Sequence, residues 1–183
     1  MITNIIRKIK EARMSAKEYA LSQGVKMGKG CYISTKRFPS EGYLIELGDY
    51  VRVAHNTSFY THGGVWSLRH YHNDENLEIC GKIKVGSYTS IGDNVMIMPG
   101  VTIGERCIVG GGSVVTKSIP DGCMVAGNPA KFIGYTEDFY KKIKDSGDFG
   151  CHKLSEEEKK KFLLSQPEDN FIKKGYIKLP EAK

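Results

Sequence analysis

No stretch of this 183-residue sequence stays apolar for the ~20 residues that a bilayer-spanning helix needs. Its first residues, Met1-Ile2-Thr3-Asn4-Ile5-Ile6-Arg7-Lys8-Ile9-Lys10, interrupt every apolar run with charge or polarity, so the apolar core of a secretory signal is missing as well. A cytoplasmic protein without stable membrane insertion is expected. Cysteine offers no framework: Cys31, Cys80, Cys107, Cys123 and Cys151 are odd in number and lack C-x-x-C spacing, which excludes a disulfide scaffold and a thiolate zinc site. An arginine-rich stripe with interleaved aromatics is also missing, so nucleic acid is not the expected partner despite a net charge of +6 and a pI near 9.0. The lysines gather toward the ends, as at Lys159, Lys160, Lys161, Lys173 and Lys174, and a polyanionic small molecule satisfies the charge equally well.

Glycine, by contrast, is abundant at 21 residues, about half again the number expected from an average usage of ~7%. The reason lies in a repeat. An aliphatic residue recurs every sixth position at Ile79, Val85, Ile91, Ile97, Ile103, Val109 and Val115. Glycine follows at Gly86, Gly92, Gly104 and Gly110, and the fourth position after each aliphatic is small or aliphatic: Ile83, Thr89, Val95, Val101, Cys107, Ser113. A period of six fits neither a helix at 3.6 nor simple strand alternation at 2, and demands short strands turning at regular corners. The same phase occurs at Met27 and Ile33 and again at Leu47, Val53 and Phe59, so the solenoid begins near residue 25. Stacked coils of this kind bury one continuous core.

Two segments interrupt the repeat. Residues 34–43 read as a loop, and the interval of 20 positions from Phe59 to Ile79 is one hexad plus 14 and contains a loop at 63–78. Long loops on a rigid scaffold commonly carry function. Outside the repeat, residues 2–22 place Ile2, Ile5, Ile6, Ile9, Ala12, Ala16 and Tyr19 on one stripe that stops at Gly24, an amphipathic N-terminal helix that either packs over the open end of the solenoid or, being basic, lies on a membrane surface. Ser155-Glu156-Glu157-Glu158 is a capping box opening a short helix that must end before Pro167.

The hexad run and the segment from Gly110 to Lys131, G-G-G-S-V-V-T-K-S-I-P-D-G-C-M-V-A-G-N-P-A-K, resemble the left-handed β-helix acetyltransferases of the galactoside, maltose, xenobiotic and polysaccharide type. The resemblance covers about residues 25–135. It implies an all-β solenoid, a left-handed parallel β-helix of hexapeptide repeats, preceded by the N-terminal helix of residues 1–24. A lysine-rich extension with short helices follows at 136–183. It further implies a homotrimer with active sites shared between adjacent copies, acetyl-CoA as co-substrate and no metal. The expected reaction is transfer of an acetyl group to a hydroxyl of a sugar or polysaccharide precursor, with N-acetylation of an amino sugar as the alternative. A γ-type carbonic anhydrase has similar hexads but requires zinc and gives no reason for the Gly110–Lys131 signature.

Acyl transfer from a thioester needs a base for the acceptor's proton and donors for the developing oxyanion. Histidine is suited to the first task, since its ordinary pKa of ~6.5 lies close to operating pH. Of His55, His62, His70, His72 and His152, His62 in Tyr60-Thr61-His62-Gly63-Gly64 matches the family's catalytic histidine by position, and the resemblance implies it is the general base. His55, on the corner of the preceding hexad, is either a second candidate or a surface residue. Trp66, His70, Tyr71 and His72 either line the acceptor site, where aromatic faces suit sugar rings, or pack the loop; three neighbouring histidines also admit a zinc site. By resemblance Gly111, Thr116, Lys117 and Lys131 contact CoA, with Asp93 and Ala126 as further contacts. Lys131 stands where some members carry arginine and Gly134 where a basic residue is common, which implies a looser phosphate grip. Lys117 and Lys131 as merely solvated charges are the other reading. Cys31 and Cys107, in the small slot of the hexad, are expected to be buried fillers, and Cys123 has no paired base in sequence.

Overall fold

The computed structural model describes residues 9–176, in two compact units: one up to Thr136 and one from Glu137 onward. In the first unit the hexads become short strands grouped in coils. The first coil holds β1 (Lys26–Met27) and β2 (Tyr32–Ile33); the second, β3 (Ile45–Leu47), β4 (Arg52–Val53) and β5 (Ser58–Phe59). The third holds β6 (Ile83–Val85), β7 (Ser90–Ile91) and β8 (Met96–Ile97), and the fourth, β9 (Thr102–Ile103), β10 (Ile108–Val109) and β11 (Val114–Val115). Then come β12 (Cys123–Ala126) and β13 (Lys131–Tyr135).

Corresponding strands of successive coils pair in parallel and build three sheets, ordered β1-β3-β6-β9, β13-β12-β10-β7-β4-β2 and β11-β8-β5. The register carries the hexad directly: Leu47 lies beside Val85, Val53 beside Ile91, Phe59 beside Ile97. These residues, with Ile103, Val109 and Val115, are buried in the centre. Complete burial of an aliphatic side chain contributes ~1.5–3 kcal/mol, and a two-residue strand has little else to hold it. The small slot is buried as expected, from Val51 and Thr57 through Thr89, Val95, Val101 and Cys107 to Ser113. Its hydroxyls are satisfied internally: Thr57 Oγ1 donates to the Gly92 carbonyl at 2.7 Å and Thr89 Oγ1 to that of Gly104 at 2.8 Å. Cys31 and Cys107 are buried fillers, and burial pushes the Cys107 thiol up, away from thiolate chemistry.

The glycine after each aliphatic is required by close approach between coils. A Cβ on Gly86 would lie 2.5 Å from the Glu105 nitrogen, and one on Gly92 would lie 2.6 Å from that of Gly111.

Three sequence expectations change. Ile79 is 51% exposed and belongs to no coil; the continuous repeat starts with β6, whose Ile83 and Val85 are both buried. The 63–78 segment contains a helix, α2 (Trp66–His72), closed by Asn73 in the left-handed conformation. The N-terminal helix is not continuous. Residues 9–13 are helical, the chain breaks at Met14, and α1 (Ala16–Ser22) begins anew on a Ser15–Glu18 capping box, while Ile2, Ile5 and Ile6 lie outside the described residues. Ile9 and Ala12 are exposed, whereas Ala20 is buried and Ala16 and Tyr19 pack against the core. Gly24 at φ +88° lets the Val25 N–H return to the Ala20 carbonyl and directs the chain into β1. After the last coil, β13 doubles back antiparallel on β12 as a hairpin.

The second unit comprises most of α3 (Thr136–Ser146) and all of α4 (Glu156–Leu164). The capping box at Ser155 and Glu158 is formed, and the helix stops before Pro167. Phe149 contacts Phe162 and Phe171 in a small aromatic cluster.

Candidate active site

His62 stands where the chain leaves the second coil, just beyond β5. Its backbone forms an antiparallel bridge with Cys80, and the Gly81 N–H donates to the Thr61 carbonyl at 2.7 Å, so the excursion of residues 62–80 leaves and returns at one place. Glu41 reaches the same point from the 34–43 segment. Its Oε2 is 2.8 Å from His62 Nδ1 and accepts from Thr61 Oγ1 at 3.3 Å. A carboxylate can only accept, so in the neutral imidazole Nδ1 carries the hydrogen and Nε2 retains the lone pair. The side chains are 43% and 25% exposed, which leaves the imidazole accessible and its partner more sheltered. Burial pushes the Glu41 carboxyl up, but its own backbone N–H, the Ser40 hydroxyl and His62 more than offset that and hold it below the usual carboxylate range. Sequence reasoning missed Glu41, which lies in a different coil from His62.

The excursion is a folded platform. Arg69 Nε donates to the Leu77 carbonyl while Arg69 Nη2 pairs with Glu78, tying α2 to the returning chain. Trp66, Arg69, His70, Asn73 and Glu75 line a cavity of about 330 Å³. Trp66 is 69% exposed, and His70 sits edge-on to it with ring centroids 4.5 Å apart. Of the four aromatic and histidine residues singled out in this segment, Trp66 and His70 line the cavity; Tyr71 and His72 contact each other instead. Among the described residues, no group of three His, Cys, Asp or Glu side chains is arranged to hold a metal ion.

The remaining candidate residues flank the β11-β8-β5 sheet at its two ends. At the entry end His55, Asp93 and Gly111 precede β5, β8 and β11 in that order. Asp93 Oδ1 accepts from the His55 N–H at 2.9 Å, and the Asp93 carbonyl accepts from Gly112 at 2.8 Å, so Asp93 splices three coils. Ala126 pairs with Lys131 across the β12–β13 hairpin, whose Gly127 N–H donates to Ser113 Oγ at 3.1 Å. Asp93, Gly111, Ala126 and Lys131 therefore share this end. At the exit end Thr116 and Lys117 follow β11, on the side where His62 follows β5. Hence His62 is grouped with Thr116 and Lys117, and the short sheet separates it from the other four. His55 Nδ1 is 3.5 Å from Asp93 Oδ1, and both side chains are well exposed.

Residues 82–117 match the family described as bacterial transferase hexapeptide, six repeats. The protein CapG of Staphylococcus aureus is 42% identical over 151 residues, which span 80% of this chain and 86% of CapG. Among solved structures, a hexapeptide-repeat-containing acetyltransferase from Vibrio cholerae superposes with a TM-score of 0.54 at 26% identity, covering 70% of this chain and 86% of that one. A maltose O-acetyltransferase from Clostridium difficile 630 does so with a TM-score of 0.50 at 25% identity, covering 66% and 83%.

Proposed function

Because the chain belongs to the hexapeptide-repeat acetyltransferase family, we propose that it transfers an acetyl group from acetyl-CoA to a hydroxyl of a sugar or polysaccharide precursor, with His62 as general base. The observation that carries this reading is the Glu41–His62 pair at 2.8 Å, at the root of the excursion. A hydroxyl acceptor is favoured over an amine by the likeness to the maltose O-acetyltransferase. The coil is read as left-handed, as in the family resembled, and a cytoplasmic setting belongs to the same reading.

In the reaction, His62 Nε2 takes the acceptor's hydroxyl proton as the oxygen attacks the thioester carbonyl. The tetrahedral intermediate then expels the sulfur, the carbon–sulfur bond breaks, and the imidazolium returns the proton to the leaving thiolate. Glu41 keeps the ring in the productive tautomer and stabilises the transient imidazolium. Gly111, Thr116, Lys117, Asp93, Ala126 and Lys131 form the CoA track; the lysines meet the phosphates as flexible point charges. The split of these residues across the β11-β8-β5 sheet supports a shared site, in which the exit end of one copy faces the entry end of the next and three copies close the ring.

Release of free CoA thiol from acetyl-CoA in the presence of sugar acceptors tests the assignment. His62→Ala should lower turnover at least ~10²-fold, the scale of a lost general base. Near-normal turnover in that variant, with CoA binding retained, would overturn it.

A further inference from the structure

The 34–43 segment does more than bridge two coils. Thr35 Oγ1 donates to the Thr57 carbonyl at 2.8 Å, the Phe59 N–H donates to the Arg37 carbonyl at 3.2 Å, and Phe38 is buried in a stacked contact with Phe59, ring centroids 4.9 Å apart. The segment thus occupies, in the first coil, the place a third strand would take, and Glu41 stands near its end. On either side of Glu41 it is also tied to the N-terminal residues. Lys36 Nζ donates to the carbonyls of Glu11 at 3.0 Å and Ala12 at 3.2 Å, near the end of the 9–13 helical turn, where a lysine interacts favourably with the helix carbonyls. Gly42 is pressed against the residue that ends α1, so closely that a Cβ on it would lie 2.4 Å from the Gln23 carbonyl oxygen.

We propose that Lys36 and Gly42 are positioning residues: they clamp the Glu41 segment between the N-terminal helical turn and α1, and so hold the carboxylate on His62. This rests on the reading of His62 as the base, and it gives the N-terminal residues a role in catalysis beyond covering the end of the coil. The reason is geometric. A carboxylate presented by an irregular segment keeps hydrogen-bond distance to an imidazole only if the segment is fixed on both sides, and a displacement of ~1 Å is enough to lower a rate substantially.

The test uses Lys36→Ala, Lys36→Arg and Gly42→Ala in the full chain, with His62→Ala as reference. The first readout is kcat and KM against pH; the second is the ¹⁵N imidazole signals of His62 in the resting protein. Lys36→Ala and Gly42→Ala should each lower kcat about tenfold, the usual scale for an outer-shell partner, with KM for acetyl-CoA unchanged. Both should reduce the excess of the Nδ1–H tautomer, and Lys36→Arg should restore both readouts. The Lys36 hydrogen bonds are at the surface, so Lys36→Ala keeps the test open should Gly42→Ala compromise folding. A folded Lys36→Ala protein with wild-type kcat and wild-type His62 signals would overturn the proposal, as would a loss of kcat that leaves those signals unchanged. The NMR readout needs no turnover, so failure of the base assignment in His62→Ala remains distinct from failure of the clamp.

Discussion

At the scale of single residues the proposed chemistry rests on His62 and the oxygen that orients it. Replacing that oxygen in Glu41→Gln supplies an amide that can donate as well as accept, so Nδ1–H is no longer enforced and kcat should fall about 10- to 100-fold. The same variant carries a stability signature. Glu41 is held below the usual carboxylate range in the fold, so its ionised form is favoured by folding; that contribution is present above the carboxyl's unfolded pKa and is lost as pH falls through the depressed folded value. Thermal melts of wild type and Glu41→Gln should therefore differ at neutral pH and converge on acidification. A gap that persists at low pH would assign the difference to something other than the carboxylate. His62 is singled out in the sequence by its match to the family's catalytic histidine at the edge of the long interruption, whereas nothing local to Glu41 marks it. Its role arises only when the 34–43 detour is laid beside the end of β5, a long-range event without periodicity.

At the scale of elements the period of six gave the coils, their inward residues and the small slot from composition and spacing. It was over-extended by one step at Ile79, where an aliphatic residue in phase belongs to the returning arm of the excursion and is exposed. The break in the N-terminal helix had a readable mark, Ser15 followed by Glu18, overshadowed by the apolar stripe running across it. α2 had none: Val65, which precedes it, makes no side-chain cap, and the helix is held by Arg69 bonding to residues 77 and 78. Two predictions belong here. In Gly86→Ala the new Cβ meets backbone atoms of Gly104 and Glu105, which cannot move aside as a flexible side chain can. Chemical denaturation should show a loss of about 1–3 kcal/mol, as for overpacked cores; an unchanged midpoint would mean that the coils have slack. Trp66 is the sole tryptophan and lines the excursion's cavity, so its fluorescence reports that cavity alone. Titration with a sugar acceptor should shift the emission, and Trp66→Ala should raise the acceptor's KM up to about tenfold, the size of a lost ring-stacking contact. A silent titration together with an unchanged KM would remove this cavity from the acceptor's path.

At the scale of the whole molecule, the sheet that separates His62 from Asp93, Gly111, Ala126 and Lys131 bears on how the proposed site is completed. A site confined to one chain would have to reach around the sheet. If it instead forms between copies, each site needs His62 from one chain and the entry-end residues from the next, and light scattering should give a mass about three times 20.4 kDa. Complementation is the sharper measurement. A His62→Ala chain lacks the base but keeps its entry end, while a Gly111→Trp chain keeps His62 and has its entry end obstructed. Each alone should be inactive. When the two are co-expressed and mixed trimers isolated, every interface that places the exit end of the Gly111→Trp chain against the entry end of the His62→Ala chain rebuilds an intact site, and because each mixed trimer of either composition holds one such interface in three, the isolated mixed trimers should return about a third of the wild-type rate. If each site were built within one chain, no mixture would recover activity, because every chain would carry its own defect. Recovery therefore depends on which faces meet, and not merely on whether the copies associate.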